Sequence, residues 1–245
     1  MNAKPGPSEF SAEQFSGVYP VGMENHYWIK ARCHLIRWTL SSLGLRDAQI
    51  LDIGCGPGYT VKYLADYGFR CRGVDLGCPT VQKGAEQLIS VGIGFEQLDK
   101  DYLSSVEVVL LLDVLEHLAR PEELLSELKV RMPRLRHILV TVPARQELWT
   151  NYDEHFGHHR RYSRTEFAAL LSLAGGSVEL VRYFFHALYL PLRAMGWLTL
   201  KRRVSNQAPS PIWLHGLLAR AFFLELRVMP AWCFGGSLFG RVEIQ

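Results

Sequence analysis

The stretch LDIGCGPGYT, Leu51 to Thr60, closes an apolar run, QILDIG, with three glycines and a proline. Glycine at that density behind a strand lets backbone approach a ligand closely. The dinucleotide fingerprint G-x-G-x-x-G is not met: Gly54, Gly56 and Gly58 are present, but Tyr59 stands where the third fingerprint glycine belongs. No Gly-Lys-Ser/Thr follows, so the phosphate-loop pattern fails as well. Asp52, two residues ahead of the first glycine, is a poor neighbour for phosphate. It suits a ligand with a positive ammonium and a nearby sulfonium. A second acid agrees. Asp75 ends the next strand, in GVDLG, and a carboxylate there can accept two hydrogen bonds from a ribose diol.

Outward from this loop, apolar runs alternate with helix-like stretches. Residues 48–54, 69–77, 106–113, 136–143 and 177–185 read as strands. Residues 59–68, 79–90, 120–132 and 163–175 read as helices, the last with Ser163 as N-cap and Glu166 closing a capping box. Such alternation implies an α/β fold, a parallel sheet wrapped by helices on both faces. The runs apolar on both sides, such as VVLLL, fit central parallel strands. Ligands of such sheets bind outside the carboxyl ends of the strands.

At this point the chain resembles the class I S-adenosylmethionine-dependent methyltransferases. LDIGCGPGYT is similar to their first motif, GVDLG to their ribose-binding segment, and VVLLLDVLEHL to the segment after their fourth strand. The resemblance covers about residues 48–185. It implies a Rossmann-like, doubly wound seven-stranded sheet whose last strand, GGSLFGRVEIQ, is antiparallel and inserted beside the fifth. It implies that Asp52, Gly54, Cys55, Gly56 and Gly58 surround the methionine end of S-adenosylmethionine. Asp75 would hold the ribose, Leu76 would lie against adenine, Asp99 would sit near the adenine amino group, and Asp113 would approach the reacting end.

The acceptor side is expected from two other stretches. In DVLEHLARPEE, Asp113, Glu116 and His117 fall at i, i+3 and i+4, one face if helical. DEHFGHHRRYSRTEF follows, dense in histidine, carboxylate and arginine. The pairing is similar to segments of the ubiquinone-biosynthesis O-methyltransferases and the small-RNA terminal 2′-O-methyltransferases, which hold a divalent cation. Aligning Arg164 and Phe167 with the RNA enzymes' motif puts their metal histidine at His158, while Asp113 departs from their Glu. A metal set of Asp113, Glu116, His117 and His158, a metal-free acid/base role for His117 or His158 with Glu116 beside them, and a structural role all stay open. Arg160 and Arg161 either pair a substrate anion or form a solvated basic loop. In GMENHYWIKARCHLIRWTL (22–40), an amphipathic helix, Tyr27, Trp28 and Arg32 either close over the cofactor or pack in the core.

The organisation expected is a polar arm and cap helix over 1–46, the cofactor core over 47–185, an apolar helical insertion over 186–232, and the final strand over 233–245. SNQAPSP (205–211) would join two helices of the insertion, which either packs on the sheet edge or walls the substrate. The net charge of +3 argues little for nucleic acid. The five cysteines lack a CxxC pair and suit a reducing compartment as free, buried, inert thiols. With no signal peptide and no clean apolar span of about 20 residues, the cytoplasm is the expected location, with contact to a membrane surface open. The expected activity is methyl transfer to an oxygen of a small or lipid-like hydrophobic acceptor. N-methylation, methylation of RNA or a nucleotide, and non-catalytic cofactor binding are the rivals.

Overall fold

The computed structural model describes residues 17–198, 201 and 210–244. Most of the N-terminal arm, most of SNQAPSP and the final residue lie outside the described residues.

Seven strands form one sheet in the order β3-β2-β1-β4-β5-β7-β6. They are β1 (Gln49–Ile53), β2 (Arg70–Asp75), β3 (Ile89–Val91), β4 (Val108–Leu112), β5 (His137–Pro143), β6 (Gly176–Phe184) and β7 (Ser237–Ile244). The pairs within β3-β2-β1-β4-β5 are parallel; β7 runs antiparallel to both β5 and β6. The final stretch of the sequence therefore bridges β5 and β6 as expected.

Side-chain alternation divides each central strand between two cores. Leu51, Ile53, Val109 and Leu111 face one layer, with α3 (Lys100–Ser105), α4 (Pro121–Arg131) and α6 (Arg164–Ser172). Ile50, Val108, Leu110 and Leu112 face the other, with α1 (Tyr27–Ser42), α2 (Tyr59–Asp66) and α8 (Ile212–Val228). The short α5 (Asn151–His155) and α7 (His186–Trp197) complete the eight α-helices among the described residues. The capping box read at Ser163 and Glu166 is formed. The amphipathic stretch 22–40 resolves into a 3-10 turn, Met23–Asn25, and then α1. His26 separates them and caps α1, its ring accepting from Trp28 N.

The helix expected over 79–90 does not form. Residues 79–88 run through turns into β3. Gly84 takes φ +85°, which a helix interior forbids, and Gln82 N donates to Pro57 O, tying the segment to the glycine loop. Its apolar residues serve that contact: Ala85 and Ile89 pack against Gly58.

The five cysteines are free thiols. Burial pushes the Cys33 thiol up to about 11 and holds Cys71 well above the usual range. The expected burial of all five is not met: Cys55 and Cys233 are half-buried, and Cys78, just after β2, is exposed. No helix among the described residues is long and apolar enough to cross a membrane.

Cys55 is a wedge between the glycine loop and β2. A Cβ at Gly73 would stand 2.6 Å from its Sγ and 2.8 Å from Val61 Cγ2. Gly73→Ala is expected to lower stability by about 1–3 kcal/mol through this overpacking, read as a lower urea midpoint with unchanged slope.

Candidate active site

Two cavities open at the carboxyl ends of the strands. The first is lined by Gly54 and Gly56 of the loop, Asp75 and Leu76 after β2, and Phe95 and Glu96 beyond β3. The second lies under α1 and α7 and is lined by Tyr27, Trp28, Phe156, Phe185, Leu188 and Leu192 around a polar cluster. Tyr19, Asp113 and His117 border both.

The first cavity is built from backbone. Gly54 has φ +74°, and a Cβ there would stand 2.6 Å from Val114. A Cβ at Gly56 would press on the Tyr19 ring at 3.3 Å. Any side chain at either glycine would fill the cradle. The Asp75 carboxylate is aimed by the loop itself: Gly56 N donates to Oδ2 at 2.7 Å and Gly77 N to Oδ1 at 2.8 Å. Burial raises its pKa, partly offset by those two donors.

Asp52 lies beneath the loop, 1% exposed, and its Oδ1 has no hydrogen-bond partner. Burial drives its pKa to about 7, against the pull of Arg32 and with help from Asp75. Asp52 lines neither cavity: it is a buried, unsatisfied acid behind the glycine cradle. Asp99 is elsewhere. It caps α3, accepting from Tyr102 N at 2.9 Å, and borders a separate cavity. The acid that reaches the first cavity beyond β3 is Glu96. Cys55 and Gly58 pack behind the loop rather than lining the cavity.

Asp113 stands between the cavities with φ 61°. It is not on a helix with Glu116 and His117; only Leu115–His117 forms a 3-10 turn. Its Oδ2 meets Arg32 Nη1 at 2.6 Å, and its Oδ1 accepts from Thr141 Oγ1 at 3.1 Å. Arg32 also lies over the Trp28 ring, 4.8 Å from the centroid. Asp113 is thus committed to α1 and is not part of the ligand cluster. Tyr27 and Trp28 wall the second cavity rather than the first.

Glu116, His117 and His158 do converge, each offering a ligand atom within 4.8 Å of the others. Glu116 is buried and its Oε2 has no hydrogen-bond partner. Burial and then Asp113 push its carboxyl well above the usual range. The His117 ring is hydrogen-bonded to the Phe156 backbone; burial and His158 press its pKa down to about 3. His158 meets it edge-on, with ring centroids 4.7 Å apart.

Asp153, which the sequence reading passed over, organises this cluster. It is fully buried at the start of α5. Its Oδ1 meets His158 Nδ1 at 2.9 Å and accepts from Arg161 Nε at 2.8 Å. Burial opposes its charge, but the bonds from His158, Arg161 and Thr150 N outweigh that and hold it down to about 2. Arg161 is buried, with Nη1 also directed at Ala144 O. Arg160 donates to Ala119 O and Arg164 to Val181 O. These arginines fasten chain segments together. Tyr19, in the arm ahead of α1, has no sequence motif to mark it, yet it borders both cavities.

Comparison with known proteins accords with this geometry. A family described as "Methyltransferase domain" matches residues 27–180, more than half of the chain. A "Probable S-adenosylmethionine-dependent methyltransferase" of Mycolicibacterium smegmatis is 29% identical over 190 residues, 76% of this chain and 72% of that protein. A "Ubiquinone biosynthesis O-methyltransferase" of Cupriavidus pinatubonensis is 26% identical over 111 residues, 42% of this chain. The match spans 45% of that relative, so less than half of its length is represented. Among solved structures, magnesium protoporphyrin IX methyltransferase from Synechocystis PCC 6803 with bound S-adenosylmethionine shares the fold. Its TM-score is 0.52 at 14% identity, over 88% of this chain and 79% of that one. The methyltransferase domain of bacterial CtHen1 gives 0.51 at 16% identity, over 88% and 97%. With the family matched over most of the sheet and the glycine cradle and Asp75 in place, the chain belongs to the S-adenosylmethionine-dependent methyltransferases of the methyltransferase-domain family.

Proposed function

We propose that the protein methylates an oxygen of a small or lipid-like apolar acceptor bound in the second cavity. The observation that carries this reading is the shared wall. Asp113, His117 and Tyr19 border both cavities, so a group bound in the first meets one bound in the second beside the histidine cluster. The second cavity is mostly aromatic and aliphatic, which selects an apolar body with few polar groups. Relatives named for O-methylation in ubiquinone biosynthesis support oxygen as the acceptor atom.

When bound, S-adenosylmethionine supplies an electrophilic methyl carbon on a sulfonium. The chain's part is alignment and proton transfer. Asp75 fixes the ribose end, and the glycine cradle admits the amino-acid end over Asp52. In the second cavity His158 is the base. With Asp153 anionic at Nδ1, that nitrogen carries the proton and Nε2 is the acceptor. His158 Nε2 would take the hydroxyl proton as the acceptor oxygen bonds to the methyl carbon and the carbon–sulfur bond breaks, the sulfonium leaving as a neutral thioether. His117, held neutral, adds no competing charge.

One observation favours a second reading. The unpartnered Glu116 Oε2, with His117 and His158, forms an oxygen and two nitrogens that fit a divalent cation, and Asp153 would then orient the His158 ligand. A cation there would lower the pKa of the acceptor hydroxyl. Under the favoured reading Glu116 is instead a neutral carboxylic acid, as its raised pKa allows. Turnover is then expected to survive exhaustive chelation; loss on chelation with recovery on added Mn²⁺ selects the cation.

The acceptor class is tested with radiolabelled methyl donor and matched apolar phenols and anilines. Label is expected on the phenols, and equal labelling of the anilines defeats the reading. His158→Ala should lower kcat by about 10²–10⁴-fold and leave cofactor affinity unchanged in calorimetry.

Asp52 gives a pH test. Its pKa is raised from 3.8 unfolded to about 7 folded. Its stabilising contribution is therefore complete below pH 3.8 and lost as pH rises through about 7. Asp52→Asn should match the parent at acid pH and exceed it at pH 8 by about 2–4 kcal/mol without cofactor. The same variant should bind S-adenosylmethionine more weakly, since it cannot offer a carboxylate. Urea titrations at the two pH values and calorimetry read the two effects.

A further inference from the structure

Helix α8 is apolar on the face it buries and apolar on the face it does not. Ala219, Phe222 and Leu226 lie in the core. On the opposite side Trp213, Leu217, Leu224 and Val228 recur at helical spacing and are 71%, 57%, 59% and 72% exposed. An exposed apolar stripe opposite a buried apolar face calls for an apolar medium on both sides. The same insertion exposes Trp197 and Trp232 by 80% and 71%. Tryptophan is the side chain that favours the boundary between lipid headgroups and acyl chains.

The charges on this helix are sorted. Glu225, its one acid, is turned inward, where it accepts from His186 N and Ala187 N and caps α7. Arg220 and Arg227 are left as its exposed charges. Residues 186–232 hold six Lys or Arg and one acid, a net +5, against +3 for the whole chain, so the remainder is net −2. Beside the first turns of α8 a groove of about 500 Å³ runs between α8, α1 and α2, bordered by Trp213, Leu217, Arg220, Lys30, His34 and Lys62. Lys62 is paired to Asp66 at 2.7 Å, and Glu24 also borders the groove; Lys30 and Arg220 make no ion pair among the described residues, so the lining keeps a positive excess.

An apolar stripe flanked by cations complements an anionic bilayer, with acyl chains against the stripe and phosphates against the arginines. A second copy of this chain fits worse. An isologous contact on this stripe would place Arg220 and Arg227 of both copies against one another. We propose that α8 docks the protein on an anionic lipid surface through Trp213, Leu217, Leu224 and Val228, with Arg220 and Arg227 on lipid phosphates. Helix α7, which packs on α8, walls the second cavity through Leu188 and Leu192. Docking therefore brings the acceptor cavity to the membrane surface. The inference is independent of the acceptor's identity and of the reaction.

The test is flotation of the full chain with vesicles of phosphatidylcholine alone or mixed equally with phosphatidylglycerol, at low and high salt. The protein is expected to float with the mixed vesicles, weakly with phosphatidylcholine, and less as salt rises. Replacing the stripe (Trp213→Ser, Leu217→Ser, Leu224→Ser) should cut partitioning about tenfold or more. Arg220→Glu with Arg227→Glu should reduce it and flatten its salt dependence. Val130→Ser, on the exposed side of α4 and 82% exposed, should change nothing. Circular dichroism and S-adenosylmethionine affinity, unaltered in each variant, show that the fold is kept. Failure of the folded protein to float with anionic vesicles overturns the proposal. So does flotation that the stripe variant leaves intact. A dimer in sedimentation that the stripe variant dissolves, with no vesicle binding, assigns the face to a second copy instead.

Discussion

The ion pair between buried Arg32 and partly buried Asp113 is the constraint on which the site depends. Arg32 belongs to the first helix and Asp113 to the end of a central strand, 81 residues later. Two charges taken out of water repay their desolvation only with good geometry and further hydrogen bonds. Both conditions are met: the contact is 2.6 Å, Thr141 donates to the second oxygen, and Arg32 is stacked on Trp28. Losing one partner of such a pair costs about 3–5 kcal/mol. That cost keeps α1 over the carboxyl ends of β1 and β4. The pair also fixes Asp113, which both cavities share, and seats Tyr27 and Trp28 on the wall of the second.

The second organising contact is Asp153. It does for the acceptor side what the glycine loop does for the cofactor side. One carboxylate, held down to about 2 by three donors, sets the His158 ring and anchors Arg161. The segment from His158 to Arg161 is fastened to the start of α5 through this single buried acid. The neighbouring Glu116 and His117 both lean toward their neutral forms, so the cluster carries little net charge in an apolar surround. Such a site can move a proton without holding a permanent charge against an apolar ligand.

Much of the sheet was legible because its strands are buried on both faces and so read as unbroken apolar runs. VVLLL and HILVTVP are examples, and both are fully internal or nearly so. The antiparallel last strand was legible only through resemblance, since nothing local in SLFGRVEI states its direction. β3 and the turns before it were misread as helix: three residues of half-buried strand leave no periodicity to see. At the site, residues fixed by backbone were legible, as with Gly54, Gly56 and Asp75. Residues whose role depends on long-range pairing were not. Asp113 looked like a ligand until Arg32 claimed it. Asp99 follows the expected spacing, yet a helix N-terminus uses it first, and Glu96 reaches the cavity three residues earlier. Asp153 reads as one acid among several until the chain folds back through Gly157 to bring His158 onto it.

Helix α1 rests on α8. Tyr27 N donates to His215 Nδ1 at 3.2 Å, and the Tyr27 ring meets Phe222 at 5.4 Å. The first described α-helix therefore completes its seat on one of the last, and β7 follows later still to join β6 to the sheet. On a ribosome, which delivers the N-terminus first, neither the second cavity nor the β6 edge can close until nearly the whole sequence has emerged. A chain cut short before α8 would keep β1 to β5 and the glycine cradle. It would lack Gly236 and Ser237, at the start of β7, which close the second cavity.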